Sequence, residues 1–272
     1  ANNYGPPFGA AEELFGDIMA RDFRPYRNEL IISSKAGWDM WPGPYGERGT
    51  RKHLIASCEQ SLKRLGLDYV DIFYSHRFDP HTPLDETLGA LEHLYRTGKA
   101  LYVGISSYPE AQTREAHHIL ADMGVPLLIH QPSYSILNRW IEDDRTIGAC
   151  GELGVGGIAF SPLAQGVLSG KYSRGTAGTR AEERNSSLNR RALAPKVLTA
   201  VDALGKIAKA RKQTLVQLAL AWVLRRPEIT SALIGVRTLE QLKDCLGALA
   251  RVEFSPKELA AIDQAVAGAM LD

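Results

Sequence analysis

The 272-residue sequence lacks the features of several protein classes: it has three cysteines, no long apolar run and almost no excess charge of either sign. Cys58, Cys150 and Cys245 show no Cys-x-x-Cys or metal-ligand spacing, so we interpret them as reduced structural thiols of a cytoplasmic protein. No stretch approaches the roughly 18 to 20 apolar residues that a membrane span needs, and no charged-then-apolar signal opens the chain. A net charge of +1 argues against a nucleic-acid-binding or membrane-binding surface.

The sequence also lacks a Gly-x-Gly-x-x-Gly turn after a strand, and its His117-His118 pair has no third-ligand spacing, so no metal is predicted. Instead, short apolar runs alternate with segments of helical periodicity. Strands are predicted at residues 30–32, 70–75, 100–105, 127–129, 157–160 and 231–234, and helices at 10–20, 50–65, 84–96, 109–123, 139–150, 195–212, 214–225 and 239–249. Six successive βα units fit a doubly wound sheet or an α/β TIM barrel, (β/α)8, whose first strands are absent from this chain. Without the glycine fingerprint, we predict the barrel, as a single domain over 1–272 that is incomplete at its N-terminus.

Three polar residues stand at predicted strand ends. Lys35 and His76 follow the first two predicted strands, and Tyr4 would follow a strand upstream of the chain. Each alone is compatible with a structural role, but the strand ends of a barrel converge at one face, so together they predict a proton-transfer site. A carbonyl that accepts hydride needs a proton donor and a polar environment for its oxygen. We predict that Tyr4 is the acid, that the Lys35 ammonium lowers its pKa, and that His76 orients the carbonyl.

These residues lie in stretches that resemble a known family. Asn3-Tyr4-Gly5, Ser34-Lys35 and Ser75-His76 are similar to the three catalytic stretches of the aldo-keto reductases, which are NADPH-dependent (β/α)8-barrel oxidoreductases. Residues 4–12 and 35–46 resemble the bacterial branch related to potassium-channel β subunits. Family members carry an aspartate five residues before the tyrosine, a position that would precede Ala1, so we expect sequence upstream of this chain.

The resemblance also implies an NADPH site. Ser106, Ser107 and Gln131 would hydrogen-bond the nicotinamide amide, and Phe160 would stack on its ring. The residues matching the pyrophosphate loop are Ser161, Pro162, Leu163, Gln165, Gly166 and Lys171, and those matching the segment over the dinucleotide and its adenosine end are Arg180, Gly235, Arg237, Gln241 and Asp244. Because a 2′-phosphate favours a nearby arginine, Arg237 favours NADPH over NADH. Cys245 replaces the usual asparagine. From the residues alone, these segments also fit ordinary turns and an exposed helix start.

The loop after Lys35 suggests a substrate pocket. Trp38, Trp41 and Tyr45 either wall a small pocket or pack the loop down, and Arg77 either binds an anionic group or forms a surface salt bridge. We expect NADPH-dependent reduction of small aldehydes of the glyceraldehyde 3-phosphate and methylglyoxal class. The alternatives are an NADPH-binding regulatory subunit like the channel β subunits, which often carry Asn where His76 stands, and a Schiff-base lyase that uses Lys35. The physiological aldehyde, the direction of flux and the existence of a homo-oligomer stay open.

Overall fold

The computed structural model describes residues 1–172, 175 and 190–271, so the predicted cofactor residue Arg180 lies outside the described residues. The strands are β1 (Ser33–Ala36), β2 (Val70–Ser75), β3 (Ala100–Ser106), β4 (Leu127–Gln131), β5 (Gly156–Ala159) and β6 (Ile229–Ala232). The helices are α1 (Ala10–Ile18), α2 (Arg51–Leu65), α3 (Leu84–Arg96), α4 (Glu110–Asp122), α5 (Trp140–Asp143), α6 (Thr146–Leu153), α7 (Pro195–Ala210), α8 (Leu215–Leu224), α9 (Leu239–Leu246) and α10 (Pro256–Val266). None of these described helices is long and apolar enough to cross a membrane.

Two compact units divide the chain. The first comprises Ala1–Gln131 with Thr146–Gly156, and the second comprises Pro132–Arg145 with Gly157–Asp272. Within each unit, parallel strands alternate with helices, which is the α/β arrangement that the sequence predicts.

In the first unit, β1, β2, β3 and β4 pair in parallel and in chain order. Their apolar side chains form a buried core with the inner faces of α2, α3 and α4, in which Phe73, Leu91, Val103 and Leu120 are fully buried. The parallel register sets Lys35 opposite Tyr74 and Ser106 opposite Gln131. Since all four strands run the same way, the polar residues at their carboxyl ends share one edge of the sheet.

In the second unit, β5 pairs in parallel with β6, and α7 packs against both α8 and α10. Two of the helices begin with a capping box, in which a hydroxyl and a side chain three residues later satisfy each other's backbone amides: Thr214 with Gln217 in α8, and Ser255 with Glu258 in α10. Trp222 of α8 is fully buried and lies under the guanidinium group of Arg225, at 3.6 Å.

Several predicted boundaries are wrong. β1 begins at Ser33 rather than at residue 30. Ile31 is 79% exposed, and the Ile32 N–H donates to the Asp71 carboxylate at 2.7 Å instead of to a backbone carbonyl of the next strand. The predicted helix at 139–150 is two helices, α5 and α6, separated at Arg145, whose φ of 61° is left-handed. The last residues of the helix predicted at 10–20 form a π-helical segment, Met19–Phe23, and α10 was not predicted at all.

Candidate active site

Lys35 lies inside β1, one residue before its end, and its side chain is almost fully buried. The Nζ donates a hydrogen bond to Oε1 of Gln131, at the end of β4. Asn2 bonds the same segment from the other side, through its backbone N–H to the Lys35 carbonyl at 3.1 Å. Burial lowers the pKa of Lys35 to about 8, so the amine is mostly, but not wholly, protonated at neutral pH.

Tyr4 and His76 stand beside this lysine. His76 directly follows β2, and its backbone N–H donates to the carbonyl of Ala36 at 2.9 Å. The ring of Tyr4 meets the imidazole edge-on, with 6.2 Å between ring centroids, and the Lys35 Nζ lies 5.9 Å from the centroid of the Tyr4 ring. The structure therefore brings together the three residues that the sequence predicts to act together.

The electrostatics of this trio differ from the prediction. Partial burial raises the pKa of Tyr4, whereas the sequence predicts that Lys35 lowers it; loss of water around the phenol is the cause of this shift. Burial, and then the charge of Lys35, lower the pKa of His76 far below its usual value. Near neutral pH the site therefore offers a protonated phenol and a neutral imidazole, whose Nδ1 is buried without a hydrogen-bond partner among the described residues.

A buried carboxylate connects the loop of Tyr4 to the strand of Lys35. Glu12 of α1 accepts a hydrogen bond from Oγ of Ser34 at 2.5 Å and another from Nε of Arg64, in α2, at 2.8 Å. Its carboxylate is 4% exposed, and the backbone N–H of Ala11 bonds the Tyr4 carbonyl at 3.2 Å. Sequence reasoning missed Glu12, because an acidic residue in the first turn of a helix is ordinarily a solvated partner of the helix dipole.

Trp38 and Arg77 form a wall next to the imidazole. The Trp38 ring meets His76 edge-on, with 6.3 Å between centroids, and the Arg77 guanidinium lies 3.8 Å above the Trp38 ring. Arg77 donates through Nε to the Gly37 carbonyl at 2.9 Å and through Nη2 to Oε2 of Glu47 at 3.0 Å. Of the two alternatives for Arg77, the structure shows the salt bridge.

The other aromatic residues of this loop pack it down. The Trp41 ring lies 4.9 Å from the His53 ring, between centroids, and His53 Nδ1 lies 3.0 Å from the carbonyl oxygen of Tyr45. Lys52 covers the Tyr45 ring at 4.6 Å. Trp38 is thus the loop aromatic that contacts His76, whereas Trp41 and Tyr45 hold the loop against α2.

Three residues predicted to hold the nicotinamide lie in the first unit and contact one another. Ser106 is buried and donates through Oγ to the backbone carbonyl of Gln131 at 2.8 Å, and the Ser107 N–H donates to the same carbonyl at 3.2 Å. The Gln131 side chain is bonded to Lys35. Ser107 is the more accessible serine and has a left-handed φ of 56°. The local structure therefore joins this predicted cofactor region directly to the lysine of the proton-transfer site.

The segment that resembles a pyrophosphate loop lies in the second unit. Phe160 bonds through its N–H to the Pro132 carbonyl at 2.9 Å, Pro162 is buried, and Leu163 packs on a small apolar cluster. The residues that follow turn repeatedly: Ser161, Ala164, Gln165 and Gly166 all have left-handed φ values. The turn is closed by its own backbone, because the N–H groups of Ala164 and Gly166 donate to the carbonyls of Ser161 and Leu163, each at 2.8 Å.

Lys171 and Gln165 are the polar side chains at this turn. The Lys171 amine lies against Gly166, where a Cβ would be 2.8 Å from Nζ, and Gly166 has a left-handed φ of 91° that favours glycine. The side-chain Oε1 of Gln165 is buried without a hydrogen-bond partner among the described residues. Of these two groups, the Lys171 ammonium is the one that suits a phosphate, because an amide oxygen only accepts hydrogen bonds.

The predicted adenosine-end residues lie in the second unit around the start of α9. Gly235 and Arg237 are exposed, and the Arg237 backbone N–H donates to Oε1 of Gln241 at 2.8 Å. Asp244 accepts bonds from Thr214 and Gln217, both at 2.9 Å, so its carboxylate helps to cap α8. Cys245 is buried. Arg237 alone among these presents an exposed cation.

Comparisons with known proteins agree with this architecture. The sequence profile of the Aldo/keto reductase family matches residues 1–267. An Escherichia coli K12 protein described as L-glyceraldehyde 3-phosphate reductase is 51% identical over 277 residues, covering 100% of this chain and 80% of that protein. A probable voltage-gated potassium channel subunit beta of Arabidopsis thaliana is 34% identical over 245 residues, covering 89% of this chain and 74% of that protein. The aldo-keto reductase str7 of Strobilurus tenacellus is 33% identical over 264 residues, covering 94% of this chain and 73% of that protein. The predicted family and fold class are confirmed.

Proposed function

The chain belongs to the aldo/keto reductase family, oxidoreductases that act on the CH–OH group of donors and use a nicotinamide cofactor, and on that premise we propose that it reduces small aldehydes with NADPH. The substrates we propose are of the glyceraldehyde 3-phosphate and methylglyoxal class, which is supported by the relative named for the first of these. We also propose a cytoplasmic location, supported by three cysteines that are buried as thiols.

The observation that carries the proposal is the convergence of Tyr4, Lys35 and His76. Bound NADPH supplies the hydride. The neutral imidazole of His76 donates a hydrogen bond to the substrate carbonyl and orients it. Because its pKa is raised, the Tyr4 phenol holds its proton at neutral pH and transfers it to the oxygen as negative charge develops there. The Lys35 ammonium stabilises the phenolate that Tyr4 becomes.

The chain carries residues suited to each part of the cofactor. We propose that Ser106, Ser107 and Gln131 hold the nicotinamide amide, with Phe160 against its ring. The pyrophosphate would be held by the turn with Lys171, formed by Ser161, Pro162, Leu163, Gln165 and Gly166, and the adenosine end by Gly235, Arg237, Gln241 and Asp244. Support comes from the Lys171 amine against Gly166 and from the exposed guanidinium of Arg237, which suits a 2′-phosphate. Trp38 and Arg77 are the proposed substrate residues, whereas Trp41 packs the loop against α2.

The test is NADPH oxidation, followed by absorbance, across a panel of small aldehydes. Tyr4→Phe should reduce kcat by 10²-fold or more, because it removes the transferred proton, while NADPH binding measured by calorimetry stays near that of the wild type. The matched control is Tyr26→Phe, at an exposed tyrosine outside the site. Turnover by Tyr4→Phe equal to that of the control would reject Tyr4 as the acid.

A second candidate function is an NADPH-binding regulatory subunit, which is favoured by the similarity to the potassium channel beta relatives. In this case the chain would bind NADPH tightly, turn over every aldehyde of the panel negligibly, and lose nothing measurable on His76→Asn. If His76→Asn lowers kcat by tenfold or more on an aldehyde that the wild type reduces, the enzyme is supported and the regulatory role is not.

A further inference from the structure

The salt bridge between Arg77 and Glu47 lies beside Trp38, at the edge of the proposed substrate site. The indole of Trp38 contacts His76 with its edge, at 6.3 Å between centroids, and carries the Arg77 guanidinium on its face, at 3.8 Å. The Trp38 ring therefore lies between His76, which is proposed to bind the carbonyl, and the Arg77 guanidinium. This arrangement suits a short aldehyde with an anionic group at its far end, because His76 can bind the carbonyl and Arg77 the anion.

The guanidinium of Arg77 is held in place, but not all of its N–H groups donate hydrogen bonds to the described residues. Stacking on Trp38 and the bond from Nε to the Gly37 carbonyl, at 2.9 Å, orient its plane. Nη2 is bonded to Glu47 at 3.0 Å, and Nη1 donates no hydrogen bond to any residue that the structure describes. The two terminal nitrogens form the fork that binds two oxygens of a phosphate side by side.

Glu47 occupies part of that fork from solvent. The side chains of Arg77 and Glu47 are 27% and 37% exposed, and Glu47 also lies 3.4 Å from Arg48. Ion pairs as exposed as this one are weak in water, so a phosphate dianion that offers two oxygens can displace the carboxylate. The Asp39 side chain hydrogen-bonds Glu47, which lowers the pKa of the Glu47 carboxyl.

We propose that Glu47 sets the substrate preference of this reductase: its carboxylate occupies the Arg77 anion site as a displaceable mimic of a substrate phosphate, lowering the preference for phosphorylated over neutral aldehydes. The proposal rests on the proposed function, which supplies the aldehyde end of the site. In this proposal, Glu47 and Arg77 together set the preference between phosphorylated and neutral aldehydes.

The kinetic test compares kcat/KM for glyceraldehyde 3-phosphate with kcat/KM for uncharged methylglyoxal. Glu47→Gln should raise this ratio about threefold to fivefold, because the phosphate then no longer has to break the exposed Arg77–Glu47 ion pair. Arg77→Met should lower the ratio tenfold or more, and adding Glu47→Gln to Arg77→Met should then have no effect on it. Glu115→Gln is the matched control, because it makes the same Glu-to-Gln change at an exposed position of α4 and leaves the Glu47–Arg77 pair intact. If Glu115→Gln raises the ratio as much as Glu47→Gln, or if Glu47→Gln does not raise it, the proposal is wrong.

A binding measurement separates this inference from the proposed function. Glycerol 3-phosphate cannot be reduced, so its affinity, measured by calorimetry with glycerol as the uncharged probe, does not depend on catalysis. Glu47→Gln should bind glycerol 3-phosphate about threefold to fivefold more tightly than the wild type, and Arg77→Met should bind it at least tenfold more weakly. Tighter binding in a protein that reduces no aldehyde would reject the proposed function and retain the anion site. Active enzyme with unchanged binding in Glu47→Gln would reject the anion site and retain the function.

Discussion

At the scale of single residues, the buried amine of Lys35 controls the charge of the proposed site. Its carboxamide partner, Gln131, is neutral, and burial brings the pKa of Lys35 down to about 8 from the 10.5 of a free lysine. The ammonium is therefore present below about pH 8 and is lost as the pH rises through that value. A reaction that needs this cation to stabilise phenolate should follow the same titration.

We accordingly predict that kcat/KM for aldehyde reduction falls as the pH rises through about 8, with the slope of one lost proton. The measurement is a pH profile of NADPH oxidation between pH 6 and 10. In Lys35→Met, which has no proton to lose, the residual activity should show no such limb near pH 8. A wild-type profile that stays flat up to pH 10 would mean that the lysine keeps an ordinary pKa and that burial does not govern it.

At the scale of elements, the bonds of Glu12 join α1, β1 and α2. The carboxylate has Arg64 on one side and Ser34 on the other, and it is almost entirely removed from water. When one partner of a buried ion pair is deleted, the other is left charged and without compensation, which is more costly than losing an exposed pair. The segment that carries Tyr4 and the strand that carries Lys35 both depend on this contact.

Glu12→Ala should lower the free energy of unfolding by about 3 kcal/mol, because it leaves the Arg64 guanidinium uncompensated. Glu13→Ala, at the next and exposed position of α1, should change it by no more than about 0.5 kcal/mol. Urea denaturation followed by circular dichroism measures both. Equal effects at the two positions would show that the buried bridge contributes no more than an exposed glutamate.

Two glycines provide a second comparison between elements. In β3, a Cβ at Gly104 would lie 2.6 Å from the ring of Tyr74 and 2.9 Å from the Ile129 carbonyl oxygen, so Gly104→Ala should destabilise the protein by about 1 to 3 kcal/mol. In α7, nothing lies within 4 Å of the position of a Cβ at Gly205, so Gly205→Ala should stabilise it by about 0.5 to 1 kcal/mol through helix propensity. Thermal unfolding of the two variants should shift in opposite directions. A shared direction would contradict the packing described for β3.

The positions of helices and strands could be predicted from the sequence where the hydrophobic periodicity and the capping residues indicate the same boundaries. β2 and α3 have the predicted bounds, and Thr50, the first residue of the helix predicted at 50–65, caps α2, with its side chain accepting from the His53 N–H. The apolar run before β1 misled the prediction, since apolar character does not show which residues enter the ladder. The break at Arg145 depends on a backbone angle, which composition does not reveal.

The site was predictable in its members but not in its electrostatics. Strand ends and family-like stretches indicated Tyr4, Lys35 and His76, which the structure places together. The sign of the Tyr4 pKa shift depends on how much water remains around the phenol, which a sequence does not encode locally. The choice of Arg77 between an anion and a salt bridge likewise depended on Glu47, which lies 30 residues away in the chain.

At the scale of the whole molecule, binding of the cofactor should report on the fold as well as on the site. A ligand present at 100 times its Kd stabilises the folded protein by about 2.7 kcal/mol, so NADPH should raise Tm. We predict a larger rise with NADPH than with NADH at equal concentration, and that Arg237→Met removes most of the difference because the exposed guanidinium is lost. Lys257→Met, at an exposed cation of α10, is the control. If Arg237→Met leaves the difference intact, another residue discriminates between the cofactors.

The three cysteines have a practical consequence for the intact protein. All three are buried thiols, and burial raises the pKa of Cys58 to about 12 and that of Cys245 above its usual value, so these two thiols hold their protons near neutral pH. Thiolates are the species that alkylating dyes attack. A maleimide should therefore not react with the native protein. It should label a single cysteine introduced at a chosen surface position, without prior replacement of the three natural cysteines. The same dye added during a thermal ramp would tag the interior sulfurs only in molecules that have opened.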